Sequence, residues 1–89
     1  SAASDVYKRQ FLQRLINDLL DLSRLQNTDF PIEKSALNFC DVVQDAVRGS
    51  RRIGMEKHIQ VKADLDADLY MLDGDYGRLR QMLMTALGK

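Results

Sequence analysis

The chain has 89 residues, 45% of them apolar and 29% charged, a balance that excludes a disordered tail and leaves room for one small domain or pieces of two. Thirteen Lys and Arg balance thirteen Asp and Glu, and the densest basic cluster, Arg48, Arg51 and Arg52, is broken by Gly49 and Ser50. Nucleic acid is therefore a poor fit as a partner, since phosphate binding asks for a basic excess on one face.

No stretch approaches the roughly 18–20 apolar residues of a membrane span and nothing resembles a secretory signal, so the segment reads as cytosolic with no direct membrane contact. A chain this small buries only about 60–65% of the surface its unfolded form exposes, which points to a partner chain or a longer parent.

The opening ten residues, SAASDVYKRQ, are polar and without a clear period, and they run abruptly into the strongly patterned FLQRLINDLLDLSRLQ. They are similar to a translated transposase-type sequencing adapter, in which DVYKRQ reads GAT GTG TAT AAG AGA CAG. Residues 1–10 are accordingly set aside as adapter-derived, and the natural sequence is expected to start mid-helix at or near Phe11.

From 11 to 26, Leu12, Leu15, Leu19 and Leu22 step by three and four, and Ile16 and Leu20 widen the stripe on one side. This is the seam of a helix that packs against other helices, with Gln13, Arg14, Asn17, Asp18, Asp21 and Arg24 opposite. Such a seam exposes an apolar strip in a monomer, and the helix is expected to fray or self-associate while a separate core holds residues 38–87. Asn27, Thr28 and Asp29 supply stop chemistry, and Pro31 forbids a continued helix.

Residues 30–37 permit one strand. Asn38 offers an N-cap to a helix that buries Phe39, Val42, Val43, Ala46 and Val47 and runs to about Arg52 or Ile53, with Gly54 at its end. The single Cys40 falls in this pattern and reads as a small buried hydrophobe in a reducing compartment.

Ile59, Val61, Ala63 and Leu65 alternate with polar residues as in a half-buried strand. Asp66 to Asp68 makes a turn, and 69–72 reads as the returning strand of an antiparallel pair, ended by Asp73 and Gly74. Asp75 then caps a last helix with the stripe Leu79, Met82, Leu83, Ala86 and Leu87. The fold class is α+β: an amphipathic bundle helix followed by an incomplete α/β sandwich in the order strand, helix, strand, strand, helix.

Two segments resemble the sensor histidine kinases. INDLLDLSRLQ, ending at Gln26, is similar to the end of the second helix of their dimerisation and phosphotransfer domain, where a DLLDLSRLE-like run is common. DGDYGRLRQMLMTALG, from Asp73 to Gly88, is similar to the GD-x-x-RLRQ-x-L-x-N-L-L-x-N run that opens the N box of their ATP-binding domain, and it is the more specific of the two. The resemblance divides the chain into 11–28, part of the second dimerisation helix, and 29–89, the N-terminal half of the ATP-binding domain.

The resemblance implies a parent with a homodimeric four-helix bundle and a Bergerat-type sandwich that binds ATP and magnesium. That parent moves the γ-phosphoryl group to a histidine and then to a response regulator, chemistry in which the protein mainly positions groups and offsets charge. The acceptor histidine and the glycine-rich nucleotide boxes belong upstream and downstream of these residues, so the fragment alone is expected to be inactive and to bind no ATP. The input signal, the cognate regulator and any inner-membrane anchor of the parent are not legible.

The resemblance also places Thr85 and Lys89 at the two N-box asparagine positions. Both depart from the family. An amide oxygen can ligate magnesium, whereas a lysine ammonium has no lone pair to give; a second fragment-end error at Lys89 would explain this. His58, the one histidine, reads as a surface residue and lacks the company a zinc site needs. Arg78 and Arg80 read as solvated neighbours of the last stripe, Gly74 and Asp75 as turn and cap, and Met82 as core. Asp64, Asp66 and Asp68 alternate like a calcium loop but lack its glycine and closing glutamate.

Two other functions fit the composition. One is a helical dimerisation or interaction module with a small α/β cap and no catalytic role. The last helix discriminates: packed on a strand pair it favours the kinase reading, and continuing a coiled coil it favours the module. An ATPase of the same superfamily without histidine transfer would lack the leucine-rich first helix.

Overall fold

A computed structural model describes residues 2–26, 29, 31–50 and 67–88. The elements are α1 (Ala2–Gln26), β1 (Ser35–Asn38), α2 (Phe39–Ser50), a 3-10 turn (Ala67–Tyr70), β2 (Met71–Gly74) and α3 (Tyr76–Leu87). Among the described residues, three helices around a two-stranded antiparallel sheet make a small α+β fold.

Helix α1 begins at Ala2, nine residues before the start expected from the leucine pattern. Nothing between residues 2 and 26 breaks a helix: the stretch has no Gly or Pro, and Asp5 sits in the first turn, where the helix dipole favours a carboxylate. The first ten residues lack an apolar face, and positions 2–10 are all exposed.

The face that α1 buries is not the full leucine seam. Ile16, Leu20 and Ser23 are buried, Leu12 and Leu19 are half-buried against the core, and Leu15 and Leu22 point outward. Steps of four and three from Ile16 through Leu20 to Ser23 place these three on one side of the helix. Ile16 and Leu20 meet Leu37, Phe39, Val42, Leu72 and Leu79 in a single cluster, so the separate core expected for the chain after α1 does not exist.

Strand formation near Pro31 is confined to the last residues of the expected stretch, since residues 31–34 take no regular structure. β1 pairs with β2 in the register Ser35↔Gly74, Ala36↔Asp73, Leu37↔Leu72 and Asn38↔Met71. Asp73 and Gly74 therefore lie inside the strand rather than ending it, and Leu69 and Tyr70 belong to the 3-10 turn. Leu37 and Leu72 face each other across the pair and are both buried. The expected strand at 59–65, the turn at Asp66 and the end of the second helix beyond Ser50 lie outside the described residues.

Asn38 caps α2 as its position implies, its Oδ1 accepting from the Cys40 amide at 2.8 Å. α2 then buries Phe39, Cys40, Val42, Ala46 and Val47 on one face, as the spacing predicts. Asp75 caps α3, with Oδ1 accepting from Arg78 N at 3.1 Å, while its Oδ2 accepts from Glu33 N at 2.9 Å. One carboxylate thus satisfies a helix start and pins the segment that leads into β1.

Candidate functional site

The run with the most specific sequence signal occupies the end of β2 and all of α3. Leu79, fully buried, anchors α3 in the cluster, with Leu83 packed against its edge. Gly74 is buried beneath it, and a Cβ there would lie 2.9 Å from Leu79 Cδ1 and 3.0 Å from Ile16 Cγ2. The glycine is a point of close approach between β2, α1 and α3, not the turn residue the sequence suggested.

Arg78 is not a solvated neighbour of the stripe. Its Nη1 donates to Ser23 Oγ at 3.1 Å, meeting the one buried polar side chain among the described residues. Arg80 is exposed, as expected. At the other end of the α1 contact, the Gln13 carboxamide pairs with the Asp73 backbone as another peptide group would: Nε2 donates to Asp73 O at 2.7 Å and Oε1 accepts from Asp73 N at 2.9 Å. Arg9 Nη2 adds a contact to Met71 O at 3.2 Å.

Tyr76 joins α3 to α2. Its hydroxyl donates to Asp45 Oδ2 and lies 3.2 Å from Asp41 O. Burial, the hydrogen bond to Asp45 and the charges of Asp45 and Asp41 push the phenol up to about 12, with Arg80 acting the other way. Asp45 also takes Arg48 Nη1 at 3.0 Å, so phenol, carboxylate and guanidinium form one short chain.

Thr85 lies two turns beyond Arg78 on the same side of α3, exposed, with its hydroxyl donating to Gln81 O at 3.0 Å. Lys89, the other candidate position, lies outside the described residues, as do His58, Asp64 and Asp66. A lone hydroxyl turned back onto its own helix does not fit magnesium or a triphosphate, and no group of three His, Cys, Asp or Glu able to hold a metal occurs among the described residues. Among those residues, too, no helix is long and apolar enough to cross a membrane.

The Gln13, Ser23 and Tyr76 contacts were not foreseen. A signal existed for the first two: Gln13, Ile16, Leu20 and Ser23 step by three, four and three, a second stripe whose two ends are polar. No local pattern marks Tyr76 with Asp45, which are 31 residues apart.

No family profile matches the chain, and no solved structure matches it. Among curated proteins it is 27% identical over 95 residues to Drug sensory protein A of Synechocystis sp., a match covering 96% of this chain and 14% of that protein. That match takes in too much of the chain to leave out all ten opening residues. The chain is 32% identical over 79 residues, 88% of its length, to the Non-motile and phage-resistance protein of Caulobacter vibrioides, of which it spans 9%. It is also 30% identical over 78 residues, 86% of its length, to an uncharacterized sensor-like histidine kinase of Pyropia yezoensis, of which it spans 12%. The chain is thus similar, over most of its residues, to a short stretch of much longer proteins, one of them a sensor-like histidine kinase.

Proposed function

We propose that this chain is a segment of a sensor histidine kinase that phosphorylates its own histidine from ATP and passes the phosphoryl group to a response regulator. Residues 11–28 are then the end of the second dimerisation helix and 29–89 the first half of the ATP-binding domain. The observation that carries the reading is the seat of α3. The helix bearing RLRQ packs against α2 and α1, with Leu79 over Gly74 at the end of β2, instead of prolonging α1 as an interaction module would need. The similarity to a sensor-like histidine kinase over 86% of the chain supports it independently.

On this reading ATP and magnesium belong to the parent. Thr85 and Lys89 mark its N-box positions, the outward strip of α1 is its homodimer contact, and this stretch acts in two-component signalling as the link between bundle and ATP domain. The isolated 89 residues are expected to form no phosphohistidine from labelled ATP and to give no calorimetric ATP binding in the micromolar range. Reading the flanking genomic DNA tests the parent directly. It is expected to show a histidine on an upstream helix and glycine-rich boxes downstream. Flanks with neither the histidine nor the boxes would sink the reading.

A further inference from the structure

Helix α1 carries two stripes of one spacing. Gln13, Ile16, Leu20 and Ser23 lie against β2 and α3, and Leu12, Leu15, Leu19 and Leu22 repeat the same steps of three, four and three one residue earlier. On a helix that offset is a turn of about 100° with a rise of about 1.5 Å. The second stripe already reaches the rim of the contact: Leu12 and Leu19 are half-buried there, while Leu15 and Leu22 are 40% and 46% exposed. On the other side of the first stripe, Arg14, Asn17, Asp21 and Arg24 are polar throughout, so a turn by one residue has a single usable direction.

By apolar burial alone the leucine stripe is the better one. It brings four leucines where the first stripe brings two apolar residues between two polar ends. What favours the first stripe is hydrogen bonding. The Gln13 carboxamide takes both groups of the Asp73 peptide, at 2.7 and 2.9 Å, and Ser23 Oγ accepts from Arg78 Nη1 at 3.1 Å. Leucines in those two places leave the Asp73 amide and carbonyl to water and take Ser23 away from Arg78. The floor between the two ends does not discriminate, because Gly74 sets no side chain beneath Ile16 and a leucine one place earlier meets the same bare backbone.

We propose that α1 is a two-position element: it docks by the Gln13–Ser23 stripe, and by a turn of about 100° it docks in the same groove by the leucine stripe, with the Asp73 peptide and Arg78 selecting between the two. Packed contacts of this kind have discrete arrangements and no continuum between them. The turn keeps α1 beside β2 and α3 and changes what it shows outside. Phe11, Leu15, Leu22 and Leu25 give way to Gln10, Arg14, Asp21 and Arg24, so the outward strip changes from apolar to polar. This goes beyond the kinase reading and stands without it.

Methyl NMR of the full chain with a neutral gadolinium chelate in the solvent, at a concentration where sedimentation gives a monomer, reads which stripe is inside. In the wild type the methyl groups of Ile16 and Leu20 are expected to be shielded and those of Leu15 and Leu22 broadened. Gln13→Ala with Arg78→Leu removes both selecting contacts and is expected to exchange the pattern, with Leu15 and Leu22 shielded and Ile16 and Leu20 broadened. Adding Leu15→Ser and Leu22→Ser to that variant is expected to return Ile16 and Leu20 to shielding, whereas the two serines alone leave both as in the wild type. Ile16 and Leu20 still shielded in the first variant would overturn the second position. Broadening of all four residues, or loss of the fold, would overturn it equally, since a helix with one docking face has no other to turn to.

Discussion

At the scale of single residues, Tyr76 shows how one hydroxyl couples two helices. Its phenol keeps its proton in the fold because burial and the Asp45 carboxylate both oppose ionisation. Below pH 10 the phenol is protonated folded or unfolded, and its contribution to stability is fully present. Between pH 10 and about 12 the unfolded chain ionises while the folded one does not, so stability is lost as pH rises through that window. Urea denaturation of wild type and Tyr76→Phe should differ by about 1 kcal/mol at pH 8, the worth of the hydrogen bond, and the gap should close by pH 12. A gap independent of pH would contradict the assignment. The caps at Asn38 and Asp75 and the burial of Cys40 were legible in the sequence, because a cap or a helical stripe is a local signal. Arg78 was not: whether a partly buried guanidinium meets water or a buried Ser23 depends on how α1 lies over α3, and nothing near Arg78 in sequence encodes that.

At the scale of elements, α2 and its buried face follow from spacing, whereas α1 starts earlier and buries another stripe than the leucines suggest, α3 buries only Leu79 of its expected stripe, and the strands shift by two or more residues from the expected places. Short strands carry few alternations, and their pairing is fixed by which segment reaches them; β2 takes β1 as partner across an intervening helix, which no local pattern could announce. The glycines that let these elements approach separate two cases. A methyl group at Gly74 meets Leu79 Cδ1 at 2.9 Å and Ile16 Cγ2 at 3.0 Å, both fully buried, so two side chains from two elements would have to yield at once, while Leu37 Cδ2 at 3.5 Å stays in ordinary contact. Gly74→Ala should therefore cost about 1–3 kcal/mol through overpacking. A methyl group at Gly49 meets Met84 Cε at 2.7 Å, the free end of a flexible side chain, on a helix that gains by losing a glycine. Gly49→Ala should be neutral or slightly stabilising, and chemical denaturation of the two variants side by side checks the contrast. Equal effects would mean that local packing does not set the approach of β2 to α3.

At the scale of the whole molecule, the leucine-rich helix presents two faces with different fates. The sequence shows both, since Gln13, Ile16, Leu20 and Ser23 run beside Leu12, Leu15, Leu19 and Leu22, but spacing alone cannot say which stripe the remainder of the chain will cover. The first is covered, closed at one end by Gln13 on the Asp73 backbone and at the other by Ser23 with Arg78. Because Ile16 and Leu20 share their cluster with Leu37, Leu72 and Leu79, α1 cannot leave without opening the floor of the sheet. The fold is thus expected to unfold as one unit, against the independent fraying that two separate cores would give. Ile16→Ala, which empties a fully buried site, should cost about 2–5 kcal/mol, and Leu15→Ala on the exposed face less than about 0.5 kcal/mol. Native-state hydrogen exchange separates the two pictures. In Ile16→Ala the amides of Leu37, Leu72 and Leu79 should lose protection by the same free energy as those of Leu19 and Leu20. Loss confined to α1, with the β1–β2 amides still protected to wild-type level, would show that the helix docks on a core already complete without it.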